Sequence, residues 1–352
     1  MPARSLVFMI PGDLDTLTGG YGYDRRVIDG LRALGWTVDV QTLDGSFPSP
    51  TLFAREDVRR RFAALDDGTV VLVDGLAFGT LAAEAERERY RLRLVALVHH
   101  PLADETGIDG ATAASLEASE RRALATTRLV VVTSRATADA LSRYGVSGDR
   151  VVVVEPGTDA ASLARGSAGG LVQLLCVASL IPRKGHEVLI EALARLRQLS
   201  WHLTCVGSTD RDRETADRVR AMLAQYELGD RVTFTGDLRQ PELDRQYDHA
   251  DVFVLPTFHE GYGMVVGEAI ARGLPVISCP TGAIAELVMP DAGILVPPGD
   301  VEQLAGVLAD VIEHRETRLR LAAGARQVRN RLPTWDAASR RMAAALERAG
   351  RS

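Results

Sequence analysis

The sequence predicts an α/β protein in which two doubly wound, Rossmann-like domains face a central cleft. Three observations support this fold class. Short β-branched runs alternate with longer helix-like segments, the runs lack the polar alternation of half-exposed strands, and the pattern pauses and restarts near the middle of the chain. Strands buried on both faces and joined by helices are typical of parallel sheets, which bind ligands at their carboxyl ends.

The N-terminal domain is assigned to residues 1–160. Its predicted strands are residues 6–10, 37–41, 70–73, 92–98, 129–133 and 151–154, and its predicted helices include residues 24–34, 53–65 and 115–126. Residues 161–170 are rich in Ala, Ser and Gly, and this composition predicts a linker.

The C-terminal domain is assigned to residues 171–332. Its predicted strands are residues 171–177, 203–206, 232–235, 252–255, 275–278 and 293–296, with helices that include residues 186–197 and 214–226. The helical pattern continues to the end of the chain and breaks at Pro333, which predicts a separate helix over residues 333–352.

Composition excludes several classes of protein. The chain has 352 residues, of which 25% are charged and 46% hydrophobic, as in a globular protein with two cores. Its net charge of −6 argues against a general nucleic-acid binder. The apolar runs are too short for a signal peptide or a membrane span, so we expect a cytoplasmic protein. Cys176, Cys205 and Cys279 lack metal or redox spacing and are expected to be buried, reduced thiols.

The basic residues show two further features. Lys184 is the one lysine among 41 basic residues, a bias that the source genome could explain but that also draws attention to this position. Residues 315–352 contain ten Arg and three acidic residues, so this segment carries +7 and the remainder −13. Such a segment could contact the inner face of an anionic membrane peripherally, or pack against the acidic body of the protein.

A glycine-rich segment, Gly19-Gly20-Tyr21-Gly22, follows the first strand. A dinucleotide fingerprint would require a glycine where Arg25 stands, so the signal for an NAD-dependent dehydrogenase is weak. The segment could bring backbone amides and a helix N-terminus to a phosphate or a sugar, or it could be an ordinary βα turn.

Two types of motif offer potential metal ligands. The D-x-D triplets at residues 13–15 and 210–212 lie just before helices, where Asp caps helices, and we interpret both as structural. His99 and His100 follow a strand, at the ligand-binding edge of the sheet. We expect one to face the cleft as a hydrogen-bond donor and the other to pack behind it, although both could be structural. No other metal-type cluster accompanies them in the sequence, so we expect no metal cofactor.

The sequence Pro182-Arg183-Lys184-Gly185 precedes a predicted helix. Two cations there oppose the helix dipole, which favours a site for an anion over a solvated turn. Lys suits a phosphate oxygen that is approached end-on, whereas the planar fork of Arg fits it less well.

The strongest motif is E-x7-E, from Glu260 in a turn to Glu268 on the following helix. Gly261 and Gly263 allow the backbone to approach a ligand closely. Glu260 is placed to accept hydrogen bonds from hydroxyls. Glu268 lies among apolar neighbours, and a buried carboxylate needs donors, which the diol of a ribose would supply.

These segments resemble the retaining glycosyltransferases of family 4, which have the two-domain GT-B fold. The resemblance covers most of the C-terminal domain, including residues 151–159, 182–185, 250–256, 260–268 and 282–300, and rests in the other domain on Gly19-Gly20 and the strand end at His99. It implies transfer of a sugar from a UDP- or GDP-sugar to a hydroxyl group, with retention at the anomeric carbon and without a required metal. It also implies that helix 333–352 returns to the N-terminal domain.

The resemblance implies a role for each matching residue. Glu268 would bind the ribose and Glu260 the donor sugar, while Lys184 and the amides around Gly261, Tyr262 and Gly263 would hold the diphosphate. Gly20, with Gly19, would approach the phosphates, and His99 would line the sugar site. The nucleobase would meet Asp237 and Leu238. Tyr21, His100 and Asp104 are candidates for the acceptor side, and the acceptor could be a lipid, a glycan or a small metabolite.

One position departs from the family pattern. Ser179 stands where family members usually have an Arg that shares the diphosphate with the motif lysine. Either another Arg supplies that charge, or stabilisation of the leaving group is weaker. Arg183 adjoins Lys184 and is a candidate donor ligand, although from the same turn it is expected to point elsewhere. A nucleotide-sugar epimerase of GT-B fold and a weakly active or non-catalytic sugar-nucleotide binder are the alternative functions.

Overall fold

The computed structural model describes residues 4–167 and 169–351. The chain forms two compact units: residues up to Gly157 join with the segment from Pro333 onward, and Thr158–Leu332 form the other. Residues 1–3 of the predicted N-terminal domain, residue 168 of the predicted linker and residue 352 of the predicted last helix lie outside the described residues.

The first unit contains a six-stranded parallel sheet with the order β2-β1-β3-β4-β5-β6. Its strands are β1 (Ser5–Pro11), β2 (Thr37–Leu43), β3 (Val70–Asp74), β4 (Arg93–Val98), β5 (Leu129–Val132) and β6 (Val151–Val153). Its connecting helices are α1 (Gly19–Ala33), α2 (Leu52–Ala63), α3 (Gly75–Phe78), α4 (Ala82–Glu88), α5 (Gly110–Ala125) and α6 (Arg135–Ala140). Strand order reverses between β1 and β3, where Phe8 pairs with Leu72.

The second unit contains a six-stranded parallel sheet with the order β12-β11-β10-β7-β8-β9. Its strands are β7 (Val172–Val177), β8 (Trp201–Val206), β9 (Val232–Phe234), β10 (Val252–Leu255), β11 (Val276–Ser278) and β12 (Gly293–Leu295). Its helices are α7 (His186–Ala194), α8 (Arg213–Gln225), α9 (Glu242–His249), α10 (Met264–Ala271), α11 (Ile284–Ala292), α12 (Val301–Glu313) and α13 (Arg315–Val328). Strand order reverses between β7 and β10.

Both sheets confirm the predicted fold class. Every predicted strand appears within two residues of its predicted bounds. Most of these runs are apolar on both faces and fill the cores, whereas β2 exposes the polar side chains of one face. The three cysteines are free and buried, as predicted.

The glycine-rich segment is the first turn of a helix rather than a loop. We predicted a helix from residue 24, but α1 begins at Gly19 because the Thr18 hydroxyl accepts a hydrogen bond from the Tyr21 amide at 3.2 Å. This capping bond offsets the low helix propensity of the glycines.

The predicted linker is packed against the second unit. The amide of Ala164 donates to the Arg272 carbonyl at 2.9 Å, and the amides of Arg165 and Gly166 both donate to the Asp248 carbonyl at 2.9 Å. The chain therefore changes unit at Gly157, before the predicted boundary. Small residues favoured a linker in the sequence, but here they let the backbone lie close to α9 and α10.

The basic C-terminal segment is divided between the two units. Helix α13 belongs to the second unit, whereas α14 (Trp335–Arg351) packs on α1 in the first. On α14, Arg341 lies 3.8 Å from Glu155 outside the helix, whereas Arg340 lies 3.0 Å from Asp336, one turn away on the same helix. Contact of this segment with a membrane stays a prediction.

The contact between α1 and α14 should make Gly30 sensitive to substitution. A Cβ at Gly30 would lie 1.9 Å from the Ser339 Oγ and 2.6 Å from its Cβ, so Gly30→Ala must push the helices apart. Overpacking costs about 1–3 kcal/mol and exceeds the gain of about 1 kcal/mol in helix propensity. We expect a lower free energy of unfolding in urea.

Gly350→Ala on α14 is the matched control, because its Cβ would meet Val70 at an ordinary 3.6 Å. A second-site Ser339→Gly change should recover part of the loss caused by Gly30→Ala. Equal stability of the Gly30 and Gly350 variants would contradict the close-packing interpretation.

Candidate functional site

In the second unit, the predicted motifs follow the two strands at which strand order reverses. Lys184 follows β7 and Glu260 follows β10, and these strands are hydrogen-bonded neighbours. The loops after them leave the sheet in opposite directions, which opens a crevice at the carboxyl edge. The fold therefore brings together residues that lie 76 positions apart in sequence.

The turn at residues 182–185 is fixed against the loop after β10. Gly185 has a φ of 71°, and a Cβ there would lie 2.1 Å from the Pro256 carbonyl oxygen, so glycine is required at this position. The Arg183 carbonyl accepts hydrogen bonds from the Thr257 hydroxyl and the Phe258 amide, both at 2.8 Å. The sequence analysis missed Thr257, whose signal was its position one residue after Pro256 at a strand end.

The charged groups of this turn meet on one carboxylate. The Lys184 ammonium forms an ion pair with Glu260 Oε1, and the Arg183 guanidinium lies 3.7 Å from the same oxygen. Burial lowers the pKa of Lys184, with Glu260 opposing that shift and Arg183 adding to it. The expectation that Arg183 points elsewhere is wrong, because its bond to the His259 carbonyl at 3.1 Å holds it beside Lys184.

The segment after Glu260 leads into α10. Gly263 is the N-cap residue with a φ of 89°, so no side chain caps this helix, and Tyr262 beside it is buried. Gly261 and Gly263 flank Tyr262 as the sequence predicted. Amides at such a helix N-terminus, together with Lys184, can bind an anion.

Glu268 lies half-buried in the second turn of α10. The Tyr247 hydroxyl donates a hydrogen bond to its Oε2 at 2.9 Å, and Arg272 stacks over the Tyr247 ring at 4.5 Å. Burial raises the pKa of Glu268, and the Tyr247 hydrogen bond opposes that shift. The carboxylate of Glu268 therefore has one hydrogen-bond donor within the chain. The sequence analysis assumed instead that the ribose diol would supply its donors.

Asp237 and Leu238 lie in the loop after β9. Asp237 is exposed, whereas Leu238 packs against the hydrophobic core of this unit. Their predicted role at the nucleobase stays a prediction.

In the first unit, the predicted residues gather where β1, β3 and β4 end. A Cβ at Gly20 would lie 3.6 Å from the His99 ring, whereas one at Gly19 would meet open space. The Tyr21 hydroxyl donates to the Pro11 carbonyl at 2.5 Å. Of the two histidines, His99 therefore faces α1.

Two buried carboxylates that the sequence analysis missed lie against His99. Its Nε2 is 3.4 Å from Asp24 Oδ1 and 3.4 Å from Asp74 Oδ2. These three groups each offer one ligand atom within 4.8 Å of the others, so a metal-type cluster does accompany His99. The expectation that none would do so is wrong, because Asp24 lies within a helix and Asp74 at the end of a strand, with no shared motif. The absence of a metal cofactor stays a prediction.

The remaining acceptor-side candidates lie after β4. His100 Nε2 is 3.5 Å from Glu105, and Asp104 forms an ion pair with Arg143. Beneath them, the buried Glu120 accepts the Leu102 amide at 3.0 Å through Oε2. Burial raises the pKa of Glu120 to about 7, with the Leu102 hydrogen bond opposing that shift.

The D-x-D triplets have structural roles. Asp212 caps α8 by accepting the Thr215 amide at 2.8 Å, as predicted. Asp13 instead closes a short turn by accepting the Asp15 amide at 2.9 Å, because Thr18 is the residue that caps α1.

Comparison with known proteins identifies the class. Residues 160–328 match the family described as "Glycosyl transferases group 1", and residues 37–162 match "Glycosyltransferase Family 4". The chain therefore belongs to the family 4 type of GT-B glycosyltransferases and is a glycosyltransferase enzyme.

Curated relatives are glycosyltransferases with different names. The chain is 27% identical over 330 residues to the MMP alpha-(1->4)-mannosyltransferase of Mycolicibacterium hassiacum, covering 88% of this chain and 77% of the relative. It is 32% identical over 235 residues to the D-inositol 3-phosphate glycosyltransferase of Thermomonospora curvata, covering 60% of this chain and 54% of the relative. The chain thus spans about half the length of the latter.

Solved structures share the fold. Sucrose-phosphate synthase from Thermosynechococcus elongatus aligns with a TM-score of 0.81 at 23% identity, covering 96% of this chain and 97% of that one. Anabaena HepE in complex with UDP and glucose aligns with a TM-score of 0.77 at 17% identity, covering 97% and 99%. These matches support the GT-B fold. Across residues 4–167 and 169–351, no helix has the length and apolarity of a transmembrane span.

Glu120 should make the stability of the first unit depend on pH. A carboxyl whose pKa is raised on folding binds more protons in the folded than in the unfolded state, so stability falls as pH rises from about 4 to about 7. Glu120→Gln removes this titration and should therefore stabilise the protein more at pH 8 than at pH 5, by about 2 kcal/mol. Urea unfolding at both pH values measures the difference.

Glu117→Gln, on the same helix, is the control, because Glu117 is partly exposed and pairs with Arg121 on the surface. Its effect on the free energy of unfolding should be small. The same effect of Glu120→Gln at pH 5 and pH 8 would show that the carboxyl ionises normally.

Proposed function

We propose that this enzyme transfers a hexosyl group, with retention at the anomeric carbon, from a UDP- or GDP-sugar to a hydroxyl group of the acceptor. The observation that carries the proposal is the E-x7-E motif with Lys184 and Arg183 at the point where strand order reverses in the second sheet. The relatives named above are also transferases of sugars, and HepE binds UDP and glucose.

The electrostatics of this cluster suit a diphosphate. Two half-buried cations, Arg183 and Lys184, lie beside the carboxylate of Glu260. A diphosphate that binds Lys184 and the α10 amides would be stabilised by these cations. It would also release Glu260 from Lys184, which frees the carboxylate to accept hydrogen bonds from hydroxyls of the donor sugar.

Arg183 is the proposed replacement for the family arginine that is absent at Ser179. The missing family arginine would have supplied a second cation to the diphosphate, and Arg183 lies beside Lys184 with its guanidinium bound to the His259 carbonyl. We assign it the role of that second cation. Arginine can bind two phosphate oxygens at once, which suits the bridging position between the two phosphates.

Glu268 is the proposed ligand of the ribose diol. Tyr247 donates to one carboxylate oxygen, so the other can accept from a ribose hydroxyl, and stacking against Arg272 holds the tyrosine in place. The neighbouring loop with Asp237 and Leu238 is the proposed contact of the nucleobase.

The chemistry requires charge stabilisation more than proton transfer by the protein. In the proposed front-face reaction, the bond from the anomeric carbon to the leaving phosphate oxygen breaks as the acceptor oxygen bonds to the same face. The acceptor proton passes to the leaving phosphate oxygen. Lys184, Arg183 and the α10 amides stabilise the negative charge on that phosphate, so no metal is required. His99 is the proposed contact of the donor sugar and Gly20 of the phosphates.

The acceptor side is assigned to Tyr21, His100 and Asp104. These polar groups follow β1 and β4 in the first unit and suit a hydroxylated acceptor. The alternative functions have separate signatures: an epimerase would isomerise the donor sugar without an acceptor, and a non-catalytic binder would bind the donor without turnover.

Replacement of Glu268 should weaken nucleotide binding specifically. We expect Glu268→Gln to raise the Kd for UDP or GDP about tenfold or more, because one charge-assisted hydrogen bond to the ribose contributes about 1.5–3 kcal/mol. Titration calorimetry measures the affinity, after a thermal-shift comparison of UDP, GDP and ADP selects the nucleotide. Glu302→Gln, an exposed change on α12, is the control. Unchanged affinity of Glu268→Gln would exclude the ribose assignment.

Lys184→Arg should impair the enzyme although it conserves charge. The half-buried ammonium lies against Glu260, and a guanidinium is larger and planar, so it cannot occupy the same position without displacing Arg183. We expect kcat/KM for the nucleotide-sugar to fall at least tenfold, an increase in the barrier of about 1.4 kcal/mol. Arg213→Lys, at the exposed start of α8, is the control. A fully active Lys184→Arg variant would refute the argument from shape.

A further inference from the structure

Three polar side chains of the first unit, those of Asp24, Asp74 and His99, meet at one buried point. His99 Nε2 lies 3.4 Å from Asp24 Oδ1 and 3.4 Å from Asp74 Oδ2. Across residues 4–167 and 169–351, His99 Nε2 and both carboxylate oxygens of Asp24 have no hydrogen-bond partner, although each of these atoms is buried. Buried polar atoms almost always have such a partner, so three of them in one place require an explanation.

The three side chains are held in place by the elements that carry them. Asp24 lies in the second turn of α1, Asp74 ends β3, and His99 follows β4. Asp74 Oδ1 accepts the Leu76 amide at 2.7 Å, and Oδ2 is the oxygen that faces the imidazole. The Tyr23 ring meets the His99 ring edge-on, with centroids 5.5 Å apart and planes at 87°. The spacing of the three side chains is therefore fixed by the packing of the unit.

The distances fit a shared cation better than a shared hydrogen. An N–H···O hydrogen bond has its nitrogen and oxygen about 2.7–3.2 Å apart. A tetrahedral Zn²⁺ with bonds of about 2.0–2.1 Å holds its ligand atoms about 3.3–3.4 Å from one another. Each of the three residues offers one ligand atom, and these atoms lie within 4.8 Å of one another. The observed spacing of 3.4 Å is thus the spacing of ligands around such an ion.

A protonated imidazole between two carboxylates is the rival explanation. It would need an acceptor in line with the N–H bond at Nε2, and no residue in the described part of the chain supplies one. It would also leave both oxygens of the buried Asp24 without a donor. A cation that both carboxylates and the ring bind would satisfy all three side chains at once.

The ligand set indicates the kind of cation. Ca²⁺ and Mg²⁺ are bound mainly by oxygen atoms, whereas an imidazole nitrogen beside carboxylates suits Zn²⁺ and similar divalent metals. Two ionised carboxylates and one neutral imidazole match the charge of one divalent cation. Binding would therefore offset the cost of placing two carboxylates side by side out of water.

We propose that Asp24 Oδ1, Asp74 Oδ2 and His99 Nε2 form a binding site for one Zn²⁺ ion within the first unit, with a water molecule as the fourth ligand. The ion joins α1 to the ends of β3 and β4 and fixes the orientation of the His99 ring. It is a structural ion and takes no part in the proposed transfer step, which requires no metal. The site does not rest on the proposed function.

An ion can enter this site from the solvent. The His99 side chain is 21% exposed, whereas those of Asp24 and Asp74 are 0% and 4% exposed. The ligand atoms therefore lie just below the surface at His99, and rotation of that ring opens a path to them. A metal site needs such a path as well as suitable ligands.

The test measures metal binding by the full chain. The protein is stripped with EDTA and dialysed, and Zn²⁺ is titrated back by calorimetry and Co²⁺ by its visible absorption, which reports tetrahedral coordination. Asp24→Asn, Asp74→Asn and His99→Gln each remove one ligand, and Asn at position 74 can still cap α3. The controls are Asp29→Asn on the exposed face of α1 and His314→Gln, an exposed histidine beside a carboxylate in the second unit.

We expect the wild type and both controls to bind one Zn²⁺ per chain. The Kd should rise about 100-fold or more in each ligand variant, because loss of a ligand costs more than loss of a group that orients one. Zn²⁺ should raise the Tm of the wild type more than that of the ligand variants, since an ion bound only by the folded state stabilises it. X-ray absorption of the Zn²⁺ form should show nitrogen and oxygen ligands at about 2.0–2.1 Å.

Four results would overturn the proposal: no stoichiometric binding at micromolar Zn²⁺, the same affinity in all three ligand variants as in the wild type, loss of binding in His314→Gln, or sulfur ligands in the X-ray absorption spectrum. If a ligand variant fails to fold, the spectrum of the wild type decides, because it needs no substitution. None of these measurements uses transferase activity, so a failure of the proposed function would leave them unaffected.

Discussion

Both candidate sites depend on the reversal of strand order within a parallel sheet. The connections on either side of β7 and β10 leave the sheet in opposite directions, and so do those on either side of β1 and β3. At such a position two loops diverge while their strand ends stay about 5 Å apart. Side chains from distant parts of the sequence can therefore meet there, because no crossover connection covers these strand ends. Lys184 and Glu260 meet in this way in one unit, and Asp24 and Asp74 meet in the other.

Each unit brings opposite charges together at the edge of its sheet. Arg183 and Lys184 lie beside Glu260 in the second unit, and Asp24 and Asp74 lie beside His99 in the first. Taking charged groups out of water is costly for folding. It is also a common property of sites that bind charged or polar ligands. This is the link between their energetics and the proposed transfer of a sugar from a nucleotide.

The sequence predicted the sheets well and the site incompletely. Strands that are apolar on both faces have a clear signal, and the E-x7-E pattern located Glu260 and Glu268 because motif and strand end coincide. Asp24 could not be found, since a polar residue inside an amphipathic helix normally faces water, and only tertiary packing buries this one. The direction of Arg183 was likewise wrong, because it depends on a backbone carbonyl 76 residues away. Local patterns indicate which residues lie at a sheet edge, but not which of them contact one another.

The division of the chain has a consequence for its synthesis on the ribosome. The first unit is discontinuous: its helix α14 comes from beyond Leu332, whereas α1, on which α14 packs, is made near the start. Domains tend to fold in the order in which they are translated. Here the first sheet must wait with the apolar face of α1 uncovered until the whole second unit has been made. The small residues of α14, which allow its close approach to Gly30, complete the first core only after the second unit has been made.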